Sequence, residues 1–250
     1  MRKVTTLLNI IPLRAAPSHR SEMVSQVLFG EGLLLSGEEE GDFAKVRMQE
    51  TNYEGWVQCS QIMDVDLWQS HPNTIVGLDE VFMSNGLCTI KLYHGTPVAA
   101  LRMQIGAEVF KIDGILRSAT LTDFAVEFPR LVAYYLRTPY MWGGRSICGM
   151  DCSGFSQMVY AHFGIMLKRD AYQQAEAGEI VNFLSEIKSG DLAFFDNEQG
   201  RITHVGVMID AETIIHAAGE VRIDKMDQQG IYNEDLDRYS HKLRIVKRYF

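Results

Sequence analysis

The pattern of apolar residues changes character near residue 122, and this limits the chain to folds in which an all-β part precedes a mixed one. Before that point apolar residues alternate in short runs between turn clusters, with no helical periodicity. Leu33 and Leu35 alternate ahead of Glu38-Glu39-Glu40-Gly41-Asp42, and Ala44, Val46 and Met48 alternate up to Asn52. Tyr53-Glu54-Gly55-Trp56-Val57 then reads as a glycine turn feeding an apolar strand. Strands this short, joined by tight turns, suit a small SH3-sized β-barrel over residues 1–62. A second strand-rich stretch starts near Pro72 and includes 88–93, 98–101 and 108–112, which predicts a further small β domain over 63–121.

Past Leu121 the spacing becomes helical. Pro129 suits a first helical position, and Leu131, Val132, Tyr135 and Leu136 recur on one face until Pro139. Residues 152–164 predict a second helix, and Asp170 with Gln173 forms a capping pair that opens a third, short one. Strands are expected at 191–195, 203–209, 213–217 and 243–249. Helices followed by an antiparallel meander make residues 122–250 an α+β domain.

At 46% hydrophobic and 22% charged residues, the composition is that of a folded chain. Its net charge of −8, without a basic patch, argues against nucleic acid and anionic membrane as partners. No run approaches the roughly 20 apolar residues of a membrane span. The start, from Met1 to Arg14, has a basic tip, but Thr5, Thr6 and Asn9 dilute it, so it reads as a first strand rather than a signal peptide. Four scattered cysteines fit no disulfide scaffold. The expected location is the cytoplasm, with export as the alternative.

The chemistry concentrates in Gly149-Met150-Asp151-Cys152-Ser153-Gly154-Phe155. Asp151 or Ser153 can serve the helix end while Cys152 occupies its first turn, where unpaired N–H groups favour a thiolate. Cys152 is therefore a candidate nucleophile with an expected lowered pKa. His204 and His216 lie on strands separated by Asp210-Ala211-Glu212. If those three residues form the loop, His216 faces Gly206, and both imidazoles share one sheet face. His204 can then take the Cys152 proton and return it to a leaving amine while His216 fixes its tautomer. Cys148 and Cys152 with His204 and His216 would make a poor zinc site, since the histidines lie on separate strands, so neither metal nor cofactor is expected. Trp142 and Trp56 are candidates for the cleft wall or the core, and Arg145, Arg169 and Asp170 for an ion pair or cap.

The runs 139–145, 151–155, 167–170, 190–195, 203–206 and 215–217 resemble those of the NlpC-type cell-wall cysteine peptidases, in order and spacing. The resemblance covers residues 122–250 and implies a papain-like core. The all-β part resembles the paired bacterial SH3 domains of one branch, the γ-D-glutamyl-L-diamino acid endopeptidases. It implies Cys152 as nucleophile, His204 as base, His216 as orienting residue and Tyr140 as oxyanion donor. It also implies that Asp151 and Ser153 line the subsite before the cut. Glu31 and Tyr53 would bind the free amine of a murein stem peptide such as L-Ala-γ-D-Glu-diaminopimelate, in cell-wall peptide recycling, and Trp142 is the further candidate for contact with substrate along the cleft. Two other functions use the same residues: acyl transfer or lipid deacylation on a Cys-His-His core, and non-catalytic murein binding. The sequence assigns no oligomeric state.

Overall fold

The structure, a computed structural model, describes residues 2–65 and 73–250. Met1 and the expected start of the second β stretch at Pro72 lie outside the described residues. The first unit is one antiparallel seven-stranded sheet that wraps around a core including Ile11, Leu13, Val27, Leu33 and Val46. The N-terminus forms two strands, Lys3–Thr5 and Ile10–Arg14, instead of one. Thr6 breaks the run by accepting the Leu8 N–H on its hydroxyl, a local bond that competes with the ladder. Met63–Asp64 pairs back onto Lys3–Thr5, so this unit reaches past residue 62.

A second all-β unit combines the four-stranded sheet, which includes Val81–Ser84 and Glu108–Asp113, with the pair Thr74–Val76 and Leu116–Ser118. Residues 98–101, expected as a strand, are irregular, and the neighbouring strand is Arg102–Ile105. Phe29 of the first unit is buried in the core of the second.

Helix α1, Phe124–Tyr135, begins five residues ahead of the expected Pro129 start, because the Asp123 carbonyl already accepts the N–H groups of Val126 and Glu127. Pro129 lies inside α1 but on its exposed side, as does Ala125, whose carbonyl the missing N–H leaves to water. The buried face carries Glu127, Phe128, Leu131 and Tyr135, whereas Leu136 caps the helix and is exposed. Helix α2, Cys152–His162, is buried along most of its length. Its Phe155, Met158 and Val159 share a core with Val205, Val207, Ile215 and Ala217 of the sheet behind it. Helix α3, Ala171–Ala175, opens where the Gln173 side chain accepts the Asp170 N–H.

That sheet is antiparallel and seven-stranded, and Arg238–Arg248 pairs with Glu179–Val181, Leu192–Asp196 and Gly230–Asn233, closing it on itself. Glu220–Met226 and Gly230–Asn233 were not expected as strands. Gly206 stands opposite His216, the register that a three-residue loop requires.

The first unit and the α+β domain are joined by buried polar contacts. Gly143, at φ +76, lets its backbone approach so closely that an added Cβ would lie 2.2 Å from the Met23 carbonyl oxygen. Arg145 donates its backbone N–H to Gln26 Oε1 at 2.7 Å and its guanidinium to both Glu31 oxygens at 3.1 Å. Only 4% of the Arg145 side chain and 11% of that of Glu31 are exposed, so each charge depends on the other. Arg145→Ala should therefore cost about 3–5 kcal/mol in urea unfolding, with Arg145→Met in a Glu31→Leu background recovering most of it. A loss below about 1 kcal/mol, the scale of an exposed pair, would show that Glu31 tolerates isolation.

Candidate active site

Asp151 stands at the hub of the site. As N-cap of α2 it has extended backbone (φ −92, ψ 177), and its Oδ1 accepts the Gly154 N–H at 2.7 Å. Its Oδ2 accepts the Gly143 N–H at 2.8 Å, and the Arg169 guanidinium binds both oxygens, at 3.0 and 2.5 Å. Arg169 also donates to Ser153 Oγ at 2.8 Å and, across the interface, to Ser25 Oγ at 3.1 Å. This buried knot fixes the first turn of α2, and Cys152 is the first residue of that turn.

The Cys152 thiol lies against the sheet, within hydrogen-bonding reach of the Val205 backbone N–H, next to His204 in sequence. His204 Nε2 is 2.8 Å from His216 Nδ1, and His216 Nε2 is 3.0 Å from Asp224 Oδ2. Asp224 is held in turn by Arg222, whose Nε and Nη2 donate to it at 2.8 and 2.9 Å. Hydrogen bonding to His216 and Arg222 outweighs burial and holds the Asp224 carboxyl below its usual range. The proton positions follow from that carboxylate: His216 donates Nε2–H to it, accepts on Nδ1 from His204 Nε2–H, and leaves His204 Nδ1 with a lone pair. His241 stacks on His204 with ring centroids 4.0 Å apart and planes 23° from parallel.

Asp224, Arg222 and His241 escaped the sequence reading. Arg222 is the residue opposite His216 in register, and Asp224 lies two further along the same strand. The alternation Val221-Arg222-Ile223-Asp224 was the available signal, obscured by its charges.

The expected lowered pKa of Cys152 is not what the surroundings give. Burial, then the nearby Asp151 charge, pushes the thiol up to about 12, against smaller opposing effects from the Val205 N–H and Arg169. Burial pushes His204 well below its ordinary value, and neighbouring His216 and His241 add to this. Burial thus favours the neutral form of both the Cys152 thiol and the His204 imidazole. Tyr140 is pushed up to about 12 by burial and by its proximity to Cys152 and Asp151, so its phenol remains a donor.

Cys152, Ser153 and Asp151 line a cleft of about 560 Å³ together with Trp142, Asp170 and Arg201. The first unit closes one wall with Glu22, Val24 and Tyr53. Tyr53 donates its hydroxyl to Asp170 Oδ1 at 3.2 Å, and exposed Trp142 donates its indole N–H to Glu22 Oε1 at 2.5 Å. Glu31 does not line this cleft, being committed to Arg145 and to the Leu28 N–H at 2.9 Å. The first unit's cleft acid is Glu22 instead, on a strand-joining loop that the sequence reading passed over. Asp170, expected only as a cap or ion-pair member, also faces the cleft. Trp56 does not line it, and Cys148 points to the Tyr93 hydroxyl at 3.3 Å.

Residues 137–238 match the NlpC/P60 family, and residues 13–62 match the bacterial dipeptidyl-peptidase SH3 domain. The chain is 30% identical over 215 residues to a gamma-D-glutamyl-L-lysine dipeptidyl-peptidase of Bacillus subtilis, an alignment covering 77% of this chain and 71% of that one. It is 27% identical to dipeptidyl-peptidase 6 of Lysinibacillus sphaericus, with 90% and 92% covered. The crystal structure of an NlpC/P60 family protein from Bacillus cereus superposes with a TM-score of 0.78 over 99% of both chains, and at 19% identity this likeness is one of fold.

A thiol pushed up by burial has a kinetic signature. Alkylation of Cys152 by iodoacetamide should be slow near pH 5 and rise steadily into the alkaline range, because only the thiolate reacts. Fast alkylation on a plateau near pH 5 would mean that the thiolate–imidazolium pair exists in the free protein.

Proposed function

The chain belongs to the NlpC/P60 family, and we propose that it is a cysteine peptidase that hydrolyses the γ-D-glutamyl–diamino acid bond of murein stem peptides bearing a free N-terminal L-Ala. Cys152 is the nucleophile, His204 the base and His216 the residue that orients it. As sulfur attacks the side-chain carbonyl of D-Glu, the thiol proton passes to His204 Nδ1, and the C–S bond forms while the carbonyl oxygen gains charge. The Tyr140 hydroxyl donates to that oxygen. Collapse expels the diamino acid's amine, which takes the proton from His204. Water then attacks the thioester by the same route and releases L-Ala-D-Glu.

The carrying observation is the wall that the first unit places across the cleft. Asp170, which accepts from Tyr53 on Oδ1, and Glu22, which accepts from Trp142 on Oε1, both bring carboxylate oxygens to the cleft wall. An ammonium offers three donors and a charge to these oxygens, whereas an acylated nitrogen offers a single N–H and no charge. The site therefore favours free stem peptides over glycan-linked murein, which is the discrimination that peptide recycling requires. Recycling places the protein in the cytoplasm in our reading. The name of the Bacillus subtilis relative, a gamma-D-glutamyl-L-lysine dipeptidyl-peptidase, supports the bond and the free amine.

Incubation with L-Ala-γ-D-Glu-diaminopimelate and with its N-acetyl form tests this reading: only the free peptide should release diamino acid, and equal cleavage of both would discard the amine pocket. Cys152→Ala should abolish turnover, while Asp170→Asn and Tyr53→Phe should raise KM by about 10-fold or more with less effect on kcat. Asp224→Asn should lower kcat by roughly 10- to 100-fold at nearly constant KM, because His216 loses the carboxylate that fixes its tautomer. An unchanged kcat in that variant would remove Asp224 from the relay.

A further inference from the structure

We propose that His204, His216 and His241 form a reversible inhibitory site for a borderline-soft divalent cation, Zn²⁺ being the best fit. The three side chains come from three strands, Ile202–Met208, Thr213–Ala218 and Arg238–Arg248. One ring nitrogen of each lies within 4.8 Å of the others. Tetrahedral zinc with Zn–N near 2.0–2.1 Å needs ligand nitrogens about 3.4 Å apart. The His204–His216 pair, at 2.8 Å, has to open slightly, and His241 has to turn inward. His241 is the least buried of the three, and turning inward exchanges its Nδ1 contact with the Ser240 hydroxyl for the ion.

The surroundings suit a ligand set. His216 Nε2 is tied to Asp224, which leaves Nδ1 as its lone-pair atom facing His204. This carboxylate–histidine pairing is the one that orients imidazoles on zinc and raises their basicity. Arg222 holds the carboxylate in place from the far side.

The inhibitory consequence rests on the role proposed above for His204. Neutral His204 carries one proton, on Nε2, where it bonds His216. An ion taking the Nε2 lone pair moves that proton to Nδ1 and breaks the bond between the two rings. His204 then offers an N–H where the thiol of Cys152 needs a lone pair. No proton is lost, no bond to carbon changes, and a chelator reverses the block. Water completes the coordination. The site differs from a Cys148–Cys152–His204–His216 site, because Cys148 is exposed and directed at Tyr93.

The test uses the full chain, stripped with EDTA. Zn²⁺ is titrated against a chromophoric chelator, and Co²⁺ is used to read ligand-field bands, in wild type, His241→Phe, His241→Gln and Cys152→Ala. Expected are one tight ion per wild-type chain, affinity within about threefold in Cys152→Ala, and at least tenfold weaker binding in both His241 variants. Peptide hydrolysis should stop at stoichiometric Zn²⁺ and return with EDTA. In each His241 variant the inhibition curve, scaled to its own zinc-free rate, should move by the same factor as the affinity. Unchanged affinity in folded His241→Phe and His241→Gln would overturn the site, as would binding lost in Cys152→Ala, which would place the ion on the thiolate. If the wild-type protein cleaves no stem peptide, the titrations still decide the metal site, and it is the proposed reaction that fails.

Discussion

The buried pair of Asp151 and Arg169 is the contact on which the rest of the site depends. One carboxylate closes the first turn of α2, receives the Gly143 N–H from the preceding loop and neutralises a guanidinium that reaches Ser25 in another domain. Removing either partner strands a charge away from water, an effect of several kcal/mol. The placement of Cys152, the tight turn before it and the docking of the first β unit are therefore one cooperative arrangement. The same carboxylate disfavours the thiolate form of the Cys152 next to it.

Behind His204 runs a hydrogen-bonded row through His216 and Asp224 to Arg222. In the reaction proposed above, with a thiol pushed up and an imidazole pushed down by burial, transfer of the Cys152 proton requires His204 to be held in one tautomer and one plane. Asp224 and His216 fix the tautomer, and the His241 ring lies against the face of His204. Every member except Arg222 and His241 is buried, which keeps the chain of hydrogen bonds in a low-dielectric setting where each bond is stronger.

The β unit at the N-terminus acts as part of the cleft and not as an appended module. Its Glu22 and Tyr53 face Trp142 and Asp170, and its Ser25, Gln26 and Glu31 grip two buried arginines. One interface thereby carries both an acid that lines the cleft, Glu22, and a buried acid paired with an arginine, Glu31.

The sequence by itself determined the order of β and α+β parts, Cys152 at a helix start, and the two histidines on one sheet face. Those features follow from local periodicity, a capping residue and the length of one loop. The strand carrying Asp224 was hidden because a buried carboxylate breaks the apolar alternation that marks a strand. Only the tertiary structure decided which acid faces the cleft: Glu31 and Arg145 meet across 114 positions of sequence, a separation at which no local pattern distinguishes a buried pair from an open pocket. It also set the surroundings of Cys152, since a helix end alone favours the thiolate, whereas burial and a neighbouring carboxylate, both products of packing, push the thiol up.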